Sequence, residues 1–287
     1  MPDQIGSGIL TPEIQTITTP DGIELFVRIY RAEKHLTSRT IYWVHGMGEH
    51  GGRYDHVMQV LAAKGWTTVI PDLRGHGKST GIPIYVKSFD DYLDDIALVW
   101  QKTGLLDASS VLLGHSMGGL IAVRAVQSAK VTASRLVLSS PLLGVKVRVN
   151  PLVLFFGSIA GRVLPTLRLS NRVDPANMTH DPDFIAMRRN DPLMNKTVTT
   201  GWYVAMRAAL KAAHRDVDKM TLPVIALQGT LDGTTDADAM ENWWKRIRGP
   251  EKELIMLGDH YHELFFEPDW HTTVKQILDW LKAKERT

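Results

Sequence analysis

The stretch Val111-Leu112-Leu113-Gly114-His115-Ser116-Met117-Gly118-Gly119 puts one serine where it can act as a nucleophile. Val111 to Leu113 reads as a short buried strand, Gly114 to Gly118 as a Gly-x-Ser-x-Gly turn, and Gly119 to Ala129 as a helix. Such a turn strains the serine backbone and exposes its hydroxyl at the carboxyl edge of a sheet, so small residues must flank it where strand and helix come close. A serine hydroxyl is a weak nucleophile at neutral pH. It needs a histidine to take its proton and a carboxylate to orient that histidine.

In this strand-turn-helix context the partners follow in the order serine, acid, histidine, each on a loop after a later strand. The apolar run Val224 to Leu227 leads into Gln228-Gly229-Thr230-Leu231-Asp232-Gly233, and Leu254 to Leu257 leads into Gly258-Asp259-His260-Tyr261-His262-Glu263. The acid is therefore Asp232 or Asp236, with Asp232 nearer the strand end. The base is His260 or His262, which pattern alone does not separate. Acyl transfer also needs donors for an oxyanion. An amide of the loop His45-Gly46-Met47-Gly48 is expected to pair with the amide of Met117.

Other tempting residues read as scaffold. Asp72 to Ser79 is charged and glycine-rich but lacks the spacing of a phosphate loop, so it is expected to be a structural turn. His45, His76 and His115 are expected to hold backbone. No histidine pair at helical spacing stands beside a carboxylate, so no catalytic metal is expected.

Several elements must position these loops. Glu13 to Thr18, a turn at Pro20-Asp21-Gly22, and alternating Ile23, Leu25, Val27 and Ile29 predict an antiparallel hairpin. The runs 41–44, 67–70, 111–113, 136–138, 224–227 and 254–257 are short, apolar and separated by helical segments. They predict a doubly wound, mostly parallel sheet covered on both faces, with its ligand site at the carboxyl ends of the strands. The alternation breaks at about 144–218. Asn150 to Leu167 is almost entirely apolar, a loop rich in Asp, Pro and Asn follows, and a helix is predicted from about Val198 to His214. The expectation is an α/β core over 1–143 and 219–287 with an inserted helical cap over 144–218.

Composition narrows the function. A chain of 287 residues with 44% hydrophobic and 22% charged residues has the make-up of an ordinary globular protein. A net charge of +2 without basic runs argues against nucleic acid as a partner. With no cysteine there is neither disulfide nor thiolate chemistry. The first residues do not read as a signal peptide, and no apolar run reaches the roughly 18–20 residues that span a bilayer, so a cytoplasmic enzyme is expected.

His45-Gly46-Met47-Gly48-Glu49-His50-Gly51-Gly52-Arg53-Tyr54, Asp72 to Ser79, Gly114 to Gly119, Gln228-Gly229-x-x-Asp232, and His262-Glu263 with Glu267-Pro268 together resemble the monoacylglycerol lipase and lysophospholipase branch of the α/β-hydrolases. The resemblance covers nearly the whole core and is thinnest in the cap, where Asn190-Asp191-Pro192-Leu193 carries it. It implies the α/β-hydrolase fold, Ser116 as nucleophile, Asp232 as acid, His262 as base, and the amides of Met47 and Met117 as the oxyanion hole. One departure stands out: the family places its histidine three residues after the glycine, where Tyr261 stands here. The spacing to Glu267-Pro268 favours His262. No cofactor is implied. The resemblance implies as substrate class a small lipid ester with one acyl chain, for which the apolar cap is expected to shape a channel or to offer a peripheral contact to a membrane or micelle.

Rival readings share the fold. A short-chain carboxylesterase would keep the same residues. A proline-releasing aminopeptidase would add a cap carboxylate for a free amino terminus, with Asp181, Asp183 and Asp191 as candidates. A non-catalytic receptor for a small molecule could retain the triad without turnover.

Overall fold

The computed structural model describes residues 10–32, 39–146, 161–171 and 173–283. Its strands are β1 (Glu13–Thr18), β2 (Glu24–Tyr30), β3 (Arg39–Val44), β4 (Trp66–Pro71), β5 (Val111–His115), β6 (Arg135–Ser139), β7 (Arg168–Ser170), β8 (Thr197–Thr199), β9 (Val224–Gly229) and β10 (Lys252–Leu257). Eight of them form one sheet in the order β1-β2-β4-β3-β5-β6-β9-β10. The β1–β2 hairpin is antiparallel and β2 joins β4 antiparallel; every pairing from β4 through β10 is parallel.

Helices are α1 (Asp55–Ala63), α2 (Asp90–Lys102), α3 (Met117–Gln127), α4 (Pro182–Asn190), α5 (Thr200–Arg215), α6 (Ala237–Arg246) and α7 (Trp270–Ala283). They divide between the faces of the sheet. Ile41, Trp43, Val111, Leu113, Val137, Ile225 and Leu227 share one apolar layer with α1 and α7. Tyr42, Val44, Leu112, Leu136, Leu138, Val224 and Ala226 share the other with α2, α3, α5 and α6. Successive side chains thus alternate between two dry layers, which is why the central strands read as unbroken apolar runs.

The six expected core strands all form, each growing by a residue or two at one or both ends except where the sequence turns. The segment between β6 and β9 differs more from expectation. The Asp- and Pro-rich stretch, read as loop, contains α4: Asp181 caps it, accepting from Asp183 N and Phe184 N at 2.9 and 3.3 Å, and Pro182 fills the first turn. The helix expected from Val198 begins two residues later, because Thr197–Thr199 pairs with β7 in a short antiparallel ladder. Thr199 then caps α5 through Trp202 N. Most of the apolar Asn150 to Leu167 stretch lies outside the described residues.

Candidate active site

Ser116 lies between β5 and α3 at φ 53° and ψ −119°, a conformation that costs a non-glycine residue about 1–3 kcal/mol. Two kinds of contact hold it there. The Ser116 amide donates to Ser139 O at 3.0 Å, and its carbonyl accepts from Gly119, Leu120 and Leu142. The flanking glycines allow the backbones to close up: a Cβ on Gly114 would stand 2.4 Å from Gly118 O, and one on Gly118 would stand 2.1 Å from Val44 O. The parallel strands β5, β9 and β10 end at one edge of the sheet, so the loops after them converge on this turn.

His262 Nε2 lies 2.9 Å from Ser116 Oγ, and its Nδ1 lies 2.7 Å from Asp232 Oδ2. All three side chains are buried. Asp232 also accepts from the amides of Thr234 and Thr235, the Thr235 hydroxyl and Gln228 Nε2. Burial disfavours charge on both partners, yet their mutual attraction and hydrogen bonds outweigh it. The His262 charge and the surrounding donors hold Asp232 well below the usual carboxylate range. The Asp232 carboxylate in turn raises His262 above the ordinary imidazole value. The pair therefore fixes one tautomer, with Nδ1–H donated to Asp232 and the Nε2 lone pair facing the serine hydroxyl.

The alternatives are placed elsewhere. Asp236 caps α6, accepting from Asp238 N and Ala239 N. His260 sits in the turn, with Nδ1 2.7 Å from Gly258 O and Nε2 2.9 Å from Asp269 Oδ1. The extra residue before His262 is taken up at Asp259, which adopts a left-handed φ of 57°. Tyr261 turns away and stacks on His180, with ring centroids 4.3 Å apart.

Met47 follows β3 and Met117 opens α3. Among the described residues no protein acceptor meets either amide. The Met117 amide also heads a helix, whose N-terminus carries partial positive charge. His45 bridges its own loop to the next: Leu73 N donates to Nε2 at 2.9 Å while Nδ1 lies 2.8 Å from Gly46 O. Asp72 is likewise structural, accepting from Gly51 N, Lys78 N and Arg28. His115 packs beside His262 at a ring distance of 5.0 Å, and burial takes its pKa down to about 4, so it stays uncharged near neutral pH.

A buried charge network missed at the level of sequence lies beside the triad. Glu49 accepts from Gly46 N at 2.5 Å and Tyr54 Oη at 2.8 Å, and pairs with Arg53. Arg53 reaches across to Glu263, the residue after His262, at 2.7 and 3.2 Å. Arg188 from α4 meets the same carboxylate. Sequence spacing gives no hint of this, because the three segments meet only in the folded chain. The segment between β6 and β9 also touches the front of the site. Trp202 Nε1 lies 3.3 Å from Met117 Sδ, Asn195 N donates to Gly48 O, and His50 pairs with Asp191 at 2.7 Å. A cavity of about 520 Å³ lies along the alanine face of α5, but neither Ser116 nor His262 lines it.

The family model described as "Serine aminopeptidase, S33" matches residues 37–269. The chain belongs to this family. Among relatives of the S33 chain, Phospholipase YtpA of Bacillus subtilis is 28% identical over 228 residues, covering 79% of this chain and 88% of that protein. Monoglyceride lipase of Rattus norvegicus is 29% identical over 280 residues, covering 95% and 91%. The crystal structure of Paleococcus ferrophilus monoacylglycerol lipase superposes with a TM-score of 0.83 at 26% identity, covering 91% of this chain and 99% of that one. The S33 chain is a serine hydrolase with the α/β-hydrolase fold. Among the described residues no helix is long and apolar enough to cross a membrane.

Proposed function

We propose that this serine hydrolase releases a fatty acid from a monoacylglycerol or lysophospholipid through an acyl-enzyme, with Ser116, His262 and Asp232 as its triad. The observation that carries the reading is the unbroken chain from Ser116 Oγ through His262 to Asp232, at 2.9 and 2.7 Å. His262 Nε2 takes the hydroxyl proton as Ser116 Oγ attacks the ester carbonyl. Charge then grows on the carbonyl oxygen, and the amides of Met47 and Met117, which no protein acceptor occupies among the described residues, supply its donors. The imidazolium, stabilised by Asp232, returns the proton to the departing glycerol oxygen. Water deprotonated by the same nitrogen attacks the acyl-enzyme, and the fatty acid leaves.

The lipid preference is supported by the lipase and phospholipase relatives. The aminopeptidase reading suggested by the family description has less support from the site. Of the three carboxylates open to it, Asp181 caps α4 and Asp191 is bonded to His50 and Leu193 N. Asp183 alone is exposed, in the first turn of α4.

Residues 144–218 act as the cap in this reading. The exposed Val163, Leu164, Leu167 and Leu169, flanked by Arg162 and Arg168, suit a peripheral contact with a lipid surface in the cytoplasm. The test is hydrolysis of p-nitrophenyl esters from two to sixteen carbons beside proline p-nitroanilide. Turnover that rises toward long chains is expected. Turnover confined to acetate and butyrate would move the assignment to a short-chain esterase, and cleavage of the anilide alone to a peptidase.

A further inference from the structure

Glu263 carries a buried carboxylate one residue beyond His262, where an uncompensated charge would be costly. Two guanidiniums compensate it. Arg53 binds it with both nitrogens but is shared with Glu49, the carboxylate under the Gly46 amide. Arg188 comes from α4 and pairs with Glu263 Oε1, its own side chain almost fully buried. Near it, the Glu263 amide donates to Met178 O at 2.8 Å, and Glu267 accepts from the amides of Tyr261 and His180. The segment from Met178 to Arg188 thus grips the histidine loop from both ends.

We propose that Arg188 is a positioning residue for this reaction: from the insertion it clamps Glu263, and through it holds the adjoining His262 in register with Ser116. The inference rests on the triad reading above. Without Arg188, Arg53 would have to serve two glutamates, and the loop carrying the base would lose its anchor on α4. A second consequence is electrostatic. The charged and titratable groups facing His262 are Asp232 from the β9 loop, Glu263 on its own loop, Arg188 from α4 and His115 at the end of β5, with Arg53 and Glu49 behind Glu263. Asp232 and Glu263 favour the imidazolium, and Arg188 opposes it. Placing a cap residue at this point lets the insertion influence both the position and the proton affinity of the base.

The experiment is the pH profile of kcat/KM on a soluble p-nitrophenyl ester for the wild type, Arg188→Gln, Glu263→Gln and Arg189→Gln. The protonated base is inactive, so losing a nearby cation moves the acid limb to higher pH, and losing a nearby anion moves it to lower pH. Arg188→Gln should shift the limb up by several tenths of a pH unit and cut kcat several-fold on the plateau. Glu263→Gln should shift it down. Arg189→Gln, changing the exposed neighbour on the same helix, should match the wild type. If Arg188→Gln does not fold, the downward shift of Glu263→Gln carries the test. Profiles scaled by one factor at every pH would reduce the cluster to a structural role and overturn the inference, as would both limbs moving the same way. Absence of any Ser116-dependent hydrolysis in the wild type would instead overturn the triad reading, and this inference with it.

Discussion

Ser116 is held at φ 53° by hydrogen bonds on both its amide and its carbonyl, so the strain at this residue is sustained by the turn and does not relax when the side chain changes. Ser116→Ala should therefore fold normally and lose about 10⁶-fold in kcat, as serine triads acting as a unit do; a steady-state assay leaving a residual rate within tenfold of wild type would remove Ser116 from its role. Asp232→Asn should cost on the order of 10⁴-fold by favouring the wrong imidazole tautomer. Asp236→Ala should leave turnover intact and cost about 1 kcal/mol of stability, because that side chain caps α6. The two carboxylates stand four positions apart, and only the fold separates them, one beside His262 and the other capping α6. With Asp232 raising the affinity of His262 for its proton, kcat/KM should fall as pH drops through a value above the ordinary 6.5. A flat profile from pH 5 to 9 would contradict that coupling. The choice between His260 and His262 was obscured in the spacing from Gly258, where a left-handed residue at Asp259 accompanies the extra position, and was legible only in the spacing to Glu267-Pro268, which favours His262.

At the scale of elements, the core was legible because its central strands are buried on both faces and its helices on one. A run such as Val224 to Leu227 has few other places to go. The segment between β6 and β9 was less so. Its α4 is rich in charge and covers Phe184 and Arg188 only in part, too little for an apolar stripe, so periodicity was silent, although Asp181-Pro182 is a cap-and-first-turn pair that could have announced it. The β7–β8 ladder depends on pairing between distant residues, which no local pattern reports. The contact between β3 and α3 offers the clearest element-scale test. A Cβ at Gly118 would press on the Val44 and His45 carbonyls, at 2.1 and 2.6 Å, and neither backbone can step aside. Gly118→Ala should therefore cost about 3 kcal/mol and lower the thermal midpoint by roughly 6–12 °C. A midpoint equal to wild type would mean that this contact is looser than described.

At the scale of the whole molecule, acid should unfold the chain through its buried histidines. Burial takes His76 down to about 3 and His115 down to about 4, while unfolding returns both to ordinary values near 6.5. The unfolded state therefore binds more protons, and the thermal midpoint should fall as pH drops from about 6.5 toward 4. Asp232, held low in the folded chain, adds a loss at still lower pH, whereas raised His262 contributes stability that fades as pH rises. A midpoint that climbs on acidification across that window would contradict the buried, neutral state of these histidines. The exposed Leu164 and Leu167 belong to the same scale, since the proposed peripheral contact sets them against a surface larger than a substrate. Replacing both with serine should weaken sedimentation with anionic vesicles and leave hydrolysis of soluble esters unchanged. The most direct test of the central claim is release of free fatty acid from a monoacylglycerol by the wild type and by Ser116→Ala. Rapid release by the wild type and none above background by the variant is the predicted result. Equal release by both proteins, or none by either while other esters are cleaved, would contradict it.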